Sequence, residues 1–309
     1  MGQNAEHATL SLVGPTHSFP FLLMLLDNHL FKRCQFALLG QTALLPDPIA
    51  PQPTDAHATS DIRRLPLNCS PEDPDRHRKA FGNLLEGLGR YAQSPDDATP
   101  PSLVWADPAG AENKEDLMHT FGVGPENIRL EPLCLTEVLE GLFFQNERES
   151  PRSWYVGATQ LFPAAIEEMP SMPGTPPRAE GAVLLHLASP NLSRPGPRFE
   201  LAGLFGPPLT SSEQWLEFFT TARRHRSNLF FQEPGPLFNL STEMDHMDWQ
   251  ETALLNFGAP ASQKLVWKLG HSGPVLGLYG VGAALEENAS SMLVFGDERR
   301  SFVLGCAPL

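Results

Sequence analysis

Apolar residues along the chain gather in short runs that end at glycine or proline. The runs Ala8 to Val13 and Gln35 to Leu39 are each followed by a glycine. Short apolar runs bounded by turn residues predict strands that are buried on both faces. The Leu-rich segment Phe19 to Phe31 between them lacks glycine and predicts a helix. This order predicts a βαβ unit, which builds parallel sheets.

The same alternation continues further along the chain. Strands are predicted at 102–107 and 154–156, a strand pair at 181–206, and helices at 71–91, 112–123 and 210–227. Alternating strands and helices predict an α/β fold with a Rossmann-like parallel sheet. A length of 309 residues suggests two domains, which we expect at 1–230 and 231–309.

Small residues stand where predicted strands end. Ligands of open parallel sheets bind beyond the carboxyl ends of the strands, and small residues leave backbone N–H groups accessible there. Packing of a helix against the sheet would explain the same small residues. The predicted ligand-binding residues are Gly14, Pro15, Thr16, His17, Gly40, Gln41, Thr42, Gly157, Ala158, Thr159 and Gln160.

Composition excludes several classes of protein. A net charge of −14 argues against strong binding to duplex nucleic acid, which needs Lys and Arg on phosphates. The usual glycine-rich dinucleotide and triphosphate motifs are absent, and we expect no cofactor and no metal. The four cysteines stand far apart, so we expect reduced, mostly buried thiols. No apolar run approaches the ~18 residues of a membrane span, so a cytoplasmic protein is expected.

Two segments carry a resemblance to a known family. Residues 10–42, LSLVGPTHSFPFLLMLLDNHLFKRCQFALLGQT, resemble the opening of CRISPR-associated Rossmann fold (CARF) domains. Residues 155–166, YVGATQLFPAAI, resemble the T-G-G-T-K-L-M signature of the subgroup fused to restriction-type nucleases. Gly157, Thr159 and Leu161 match that signature, whereas Gln160 replaces its Lys.

The resemblance implies a homodimeric sensor of a cyclic oligoadenylate, namely cyclic tetra-adenylate, in type III CRISPR antiviral defence. A protein effector partner would then receive the signal. A cyclic ligand with two-fold symmetry suits a pocket shared across a two-fold axis.

The C-terminal segment is similar to the nuclease domains fused to that subgroup, but it lacks their metal-binding residues. Glu251 matches one motif position, whereas Met292, Gly305 and Ala307 replace the Asp, Glu and Lys of the nuclease motif. Two carboxylates are needed to hold the catalytic metal. The resemblance therefore implies a nuclease-like domain without nuclease activity.

Two alternatives stay open at this stage. In the first, Thr16, His17, Thr159 and Gln160 orient the cyclic ligand for metal-free cleavage, which would make the protein a ring nuclease. In the second, the chain is an unrelated α/β protein that binds a small nucleotide or serves in an assembly.

Overall fold

The computed structural model describes most of the segments that build the core. It describes residues 29–45, 62–63, 75, 78–79, 81–83, 85–86, 102–106, 114–131, 143, 153–161, 176–190, 197–225, 230, 236–286 and 290–309. The predicted residues Gly14, Pro15, Thr16 and His17 lie outside this set.

Twelve strands and five helices have described bounds, and helical residues are also described at 78–79, 81–83 and 85–86. The strands are β1 (Leu30–Leu44), β2 (Ile62–Arg63), β3 (Ser102–Ala106), β4 (Ile128–Glu131), β5 (Ser153–Gln160), β6 (Arg178–Ala179), β7 (Gly181–Ala188), β8 (Arg198–Gly206), β9 (Leu237–Asn239), β10 (Gln263–Lys264), β11 (Ser291–Gly296) and β12 (Ser301–Pro308). The helices are α1 (Lys114–Phe121), α2 (Ser212–His225), α3 (Met244–Phe257), α4 (Leu265–Leu269) and α5 (Pro274–Glu286).

Ten of these strands form one mixed sheet that consists of two similar halves. The spatial order is β10-β9-β11-β12-β8-β1-β7-β5-β3-β4. Read outward from the central pair, each half uses its first, fifth, fourth, second and third strand along the chain. The last strand of each half, β7 or β12, runs antiparallel to both of its neighbours. The two halves therefore share one topology and meet at the antiparallel pair β1 and β8.

Helix α5 lies against strands of both halves. It contacts β5 and β7 in the first half and β11 and β12 in the second. Its sequence, PVLGLYGVGAALE, carries no charge before its final residue. A helix that is apolar all round is a buried helix. Outer helices cover the opposite faces, with α1 on the first half and α2 and α3 on the second.

The predicted fold class is therefore wrong. The sheet is mixed and not parallel, because β1 is antiparallel to both of its neighbours. Strands β9 to β12 extend the same sheet and do not form a nuclease-like unit of their own. The predicted strand pair within 181–206 is also wrong in its pairing, because β1 lies between β7 and β8. The domain boundary at residue 230 stays a prediction.

The two predicted turns that the structure describes are continuous strand. Strand β1 runs through Gly40, Gln41 and Thr42, with a register shift between Leu38 and Gly40. Strand β5 runs through Gly157 to Gln160, and every residue in it is buried. Gly157 is small for another reason: a Cβ there would overlap the indole ring of Trp105.

The C-terminal hairpin has the expected strand, turn and strand. Met292 is buried in β11 and faces Gly305 across the pair, and Ala307 follows near the end of β12. Glu251 lies in α3 and accepts a hydrogen bond from the Ser262 hydroxyl. These residues lie in the ten-stranded sheet and in helix α3. The nuclease-like domain that was expected around them is therefore wrong.

Among the described helices, none is both long and apolar enough to cross a membrane.

A candidate ligand site along helix α5

Two glutamines reach from the sheet to helix α5. Gln41 in β1 and Gln160 in β5 lie on the same face of the first half, which is the face that α5 covers. Gln41 meets α5 near Gly282, and Gln160 meets the residue before the helix, Gly273. Both contacts require glycine in α5 or before it, because a Cβ on Gly282 or Gly273 would crowd the glutamine amide.

Backbone hydrogen bonds tie the segment just before α5 to β6, which pairs with β2 in a separate two-stranded sheet. The N–H of His271 donates to the carbonyl of Pro177 at 2.6 Å, and the N–H of Ala179 donates to the carbonyl of His271 at 2.9 Å. Gly273 then takes a φ of +54°, in the left-handed region that favours glycine. The chain thus turns sharply beside Gln160 before the helix begins.

Buried polar groups surround this turn. Gln160, Ser272 and the carboxylate-bearing Glu180 are all buried, whereas His271 is exposed. Such a mixture of buried polar groups at the edge of an apolar core is typical of small-molecule sites.

A cleft lies between the sheet and the middle of α5. Its volume is about 60 Å³, and it is lined by Gln41, Ala43, Val183, Leu185, Tyr279, Gly282 and Ala283. Ala43 is exposed at its rim, whereas Val183 and Leu185 form a buried floor. That volume is well below the ~300–1,000 Å³ of typical ligand pockets, so the cleft fits only a narrow part of a ligand. Its lining is mainly apolar, with one amide and one phenol to orient a ligand.

Two of the predicted ligand-binding residues, Gln41 and Gln160, contact α5 or the turn before it. Of these two, only Gln41 lines the cleft. Gly40 lies at the register shift in β1. Gly157 and Thr159 lie on the face of β5 that packs against Trp105, which is the face away from α5. Ala158 is buried in the core around α5. As ligand-binding residues, all of these stay predictions.

The glycines of α5 and Gly273 were missed from the sequence. The available signal was a helix with three internal glycines and almost no charge, which indicates close packing on more than one side. The residue types alone carried no sign of where Gln41 and Gln160 would dock.

The two cysteines within the described part of the chain are not suited to nucleophilic chemistry. Cys34 and Cys306 are buried, are not joined in a disulfide, and lie on either side of Leu201. Burial raises the pKa of the Cys34 thiol far above its usual value, and raises the pKa of Cys306 to about 12. The thiolate is the reactive form, so both groups are inert at neutral pH. Cys69 and Cys134 lie outside the described residues.

A second polar cluster lies at the carboxyl ends of β9 and β11. Gln250 Oε1 accepts hydrogen bonds from Asn239 Nδ2 at 2.8 Å and from the Ser241 hydroxyl at 2.9 Å. Asn239 Oδ1 accepts from the Ser241 N–H, and the Ser241 Oγ accepts from the Gly296 N–H. This network fixes α3 against the two strand ends.

No three His, Cys, Asp or Glu residues gather in a metal-binding arrangement within the described ranges.

Several solved structures have a fold similar to that of this chain. ChlB3, an acyltransferase, superimposes with a TM-score of 0.58 at 13% identity, over 89% of this chain and 98% of ChlB3. FabH, the 3-oxoacyl-(acyl carrier protein) synthase III of Xanthomonas oryzae pv. oryzae, gives 0.54 at 10% identity, over 90% of this chain and all of FabH. A variant of Xanthomonas campestris OleA gives 0.55 at 10% identity, over 89% and 98%. The chain has a thiolase-like fold. No protein-family model and no curated protein matches its sequence.

These similarities overturn the resemblance to CARF proteins. The structural neighbours are condensing enzymes and acyltransferases, and a CARF domain with a restriction-type nuclease domain has a different fold. The cyclic oligoadenylate ligand, the homodimeric sensor, its effector partner and the CRISPR function lose their basis. The alternative of an unrelated α/β protein is closer to what the structure shows.

Proposed function

We propose that this chain binds acyl thioesters and transfers their acyl group. The observation that carries the proposal is the match over nearly the whole length of ChlB3, an acyltransferase, and of FabH, a 3-oxoacyl synthase. The mainly apolar cleft beside α5 supports it, because an acyl chain needs an apolar channel and few polar contacts.

In the proposed arrangement the acyl chain lies on Val183 and Leu185, beneath Ala43 at the rim. The Gln41 amide and the Tyr279 hydroxyl orient the polar end of the ligand. In the transfer, the acyl carbon–sulfur bond of the donor breaks, its thiol is released, and the acyl group forms a bond to an acceptor nucleophile. Cys34 and Cys306 are poor acceptors because both thiols are buried and protonated.

The test is incubation of the full chain with acyl-CoA thioesters of graded chain length. We expect release of free CoA thiol, and an acyl adduct in the intact-protein mass if a cysteine accepts the group. Peptide mapping would assign that adduct to Cys69 or Cys134. The proposal fails if no acyl-CoA binds and none is consumed, even with an added thiol or acyl-carrier acceptor.

A pair of variants links the activity to the cleft. Ala43→Phe puts a ring over the rim and should weaken acyl-CoA binding at least tenfold. Ala261→Phe adds the same ring at an exposed position elsewhere, and should leave binding unchanged. Equal binding by both variants would dissociate the cleft from the ligand.

A second candidate is an acyl-binding protein without transferase activity. It is favoured by the burial of Cys34 and Cys306, because neither of these described thiols is then accessible to react with an acyl thioester. Calorimetric binding of acyl-CoA without CoA release, together with displacement by cerulenin, a ligand bound in an OleA structure, would select it. For either function we propose a cytoplasmic location, which cell fractionation tests.

A further inference from the structure

Four buried polar atoms on the outer face of the second half-sheet lack a hydrogen-bond partner among the described residues. They are Trp215 Nε1, His246 Nδ1, Gln250 Nε2 and Ser301 Oγ. All four residues are at least nine-tenths buried, and they come from α2, α3 and β12. A buried polar atom without a partner is costly, so four on three elements call for a common explanation.

The four side chains meet close to Gly296, the last residue of β11. The position of a Cβ on Gly296 lies 3.0 Å from Gln250 Nε2, 3.2 Å from His246 Nδ1 and 2.6 Å from Cζ2 of Trp215. Cζ2 belongs to the edge of the indole that carries Nε1. Ser301 is the cross-strand partner of Gly296, so its hydroxyl points to the same face.

The hydrogen-bonding capacity of these atoms defines the ligand. The Trp215 indole and the Gln250 amide nitrogen only donate, the Ser301 hydroxyl can do both, and a neutral His246 can accept at Nδ1. The orientation of the Gln250 amide is fixed, because its Oε1 already accepts from Asn239 and Ser241. His246 Nε2 faces a carboxylate oxygen of Glu243 at 3.3 Å, which leaves Nδ1 as the acceptor.

We propose that these four atoms, close to Gly296, bind one ordered water molecule. Water accepts two hydrogen bonds and donates two, as this set of atoms requires, and buried waters typically join about three protein groups. None of the four side chains carries a positive charge when His246 is neutral, which favours water over an anion. The bound water joins α2, α3 and β12 through polar contacts that their apolar packing does not supply. This site is independent of the acyl-binding proposal.

Two serines on the same hairpin test the site with opposite expected results. Ser301→Ala removes a hydroxyl that binds the water, so the urea midpoint should fall. Ser291→Ala removes another buried hydroxyl without a described partner, at the far end of β11 opposite Cys306. Removing an unsatisfied buried hydroxyl is neutral or stabilising, so the Ser291 variant should keep or raise the midpoint. A Ser301 variant that behaves like the Ser291 variant overturns the site.

A double-mutant cycle shows whether one water is shared. Trp215→Phe removes the indole donor and keeps an aromatic ring. Combined with Ser301→Ala, it should lower the midpoint by less than the sum of the two single changes, because the second change acts on a site already disrupted. Strict additivity would contradict a shared water. Independently, the Trp215 indole proton of the unmodified protein should show a nuclear Overhauser contact to long-lived water, and the absence of that contact would also overturn the proposal.

Discussion

Gln160 Oε1 lies 3.0 Å from the point where a Cβ on Gly273 would stand. Two features therefore require a glycine at position 273: the close approach of the Gln160 amide and a φ of +54°. The two requirements act at the same turn, where the chain leaves α4 and enters α5.

Replacing Gly273 with Ala should lower the free energy of unfolding by about 1–3 kcal/mol, from the left-handed backbone and the crowded amide together. Urea denaturation measures this loss. Adding Gln160→Ala to Gly273→Ala removes the crowding and leaves the backbone term. The double variant should therefore lose less than the two single variants combined, and a loss equal to their sum would show that the two residues do not interact.

Gly157→Ala should destabilise the protein by about 1–3 kcal/mol, because the new methyl group overlaps the Trp105 ring in a closely packed core. Gly40→Ala is the matched control, since no atom lies within 4 Å of its Cβ position. Thermal denaturation compares the two. Equal melting temperatures would mean that the indole moves aside without cost.

Removing the side chain of Asn239 should cost about 2–4 kcal/mol, since Asn239→Ala eliminates two buried hydrogen bonds and leaves the Ser241 N–H without its acceptor. Asn256→Ala, at an exposed position of α3, should stay within about 0.5 kcal/mol of the original protein. The comparison uses urea midpoints. A small effect at Asn239 would show that the network adds little to stability.

The buried thiols make stability fall in alkaline solution. Their folded pKa values lie above the ordinary value of 9.0, with Cys306 at about 12. Above pH 9 the unfolded chain loses these protons while the folded chain keeps them, so unfolding becomes easier as pH rises. Each thiol should contribute a slope of about 1.4 kcal/mol per pH unit over this range.

Urea denaturation between pH 8 and pH 10.5 measures that slope. A Cys34→Ala and Cys306→Ala double variant should show a shallower slope, whatever its absolute stability. The same slope in both proteins would mean that other groups, such as tyrosines or lysines, cause the alkaline loss.

The sequence predicted strands well where the side chains are buried on both faces. Strand β3 and the hairpin of β11 and β12 were expected, because continuous apolar runs report burial directly. Strand pairing was not predictable, since β1 inserts between β7 and β8 from more than a hundred residues away. Gly157 was misread for the same reason: the ring that requires a small residue belongs to Trp105, on a neighbouring strand.

The sequence indicated two residues that lie beside α5, and their role as ligand-binding residues stays a prediction. Gln41 and Gln160 stood out as polar residues near predicted strand ends, although both lie within strands. Their common neighbour, α5, could not be predicted, because its contact with both halves depends on the topology of the whole sheet. The cyclic ligand was wrong because short degenerate motifs were compatible with more than one α/β fold.

The position of β1 at the centre of the sheet has a consequence for synthesis on the ribosome. Both of its neighbours, β7 and β8, emerge roughly 140 residues or more after it, which at about 5–20 residues per second is a delay of many seconds. During that delay a fifteen-residue strand has neither edge paired. A nascent chain of this protein is therefore a natural client for chaperones that shield extended segments until the second half arrives.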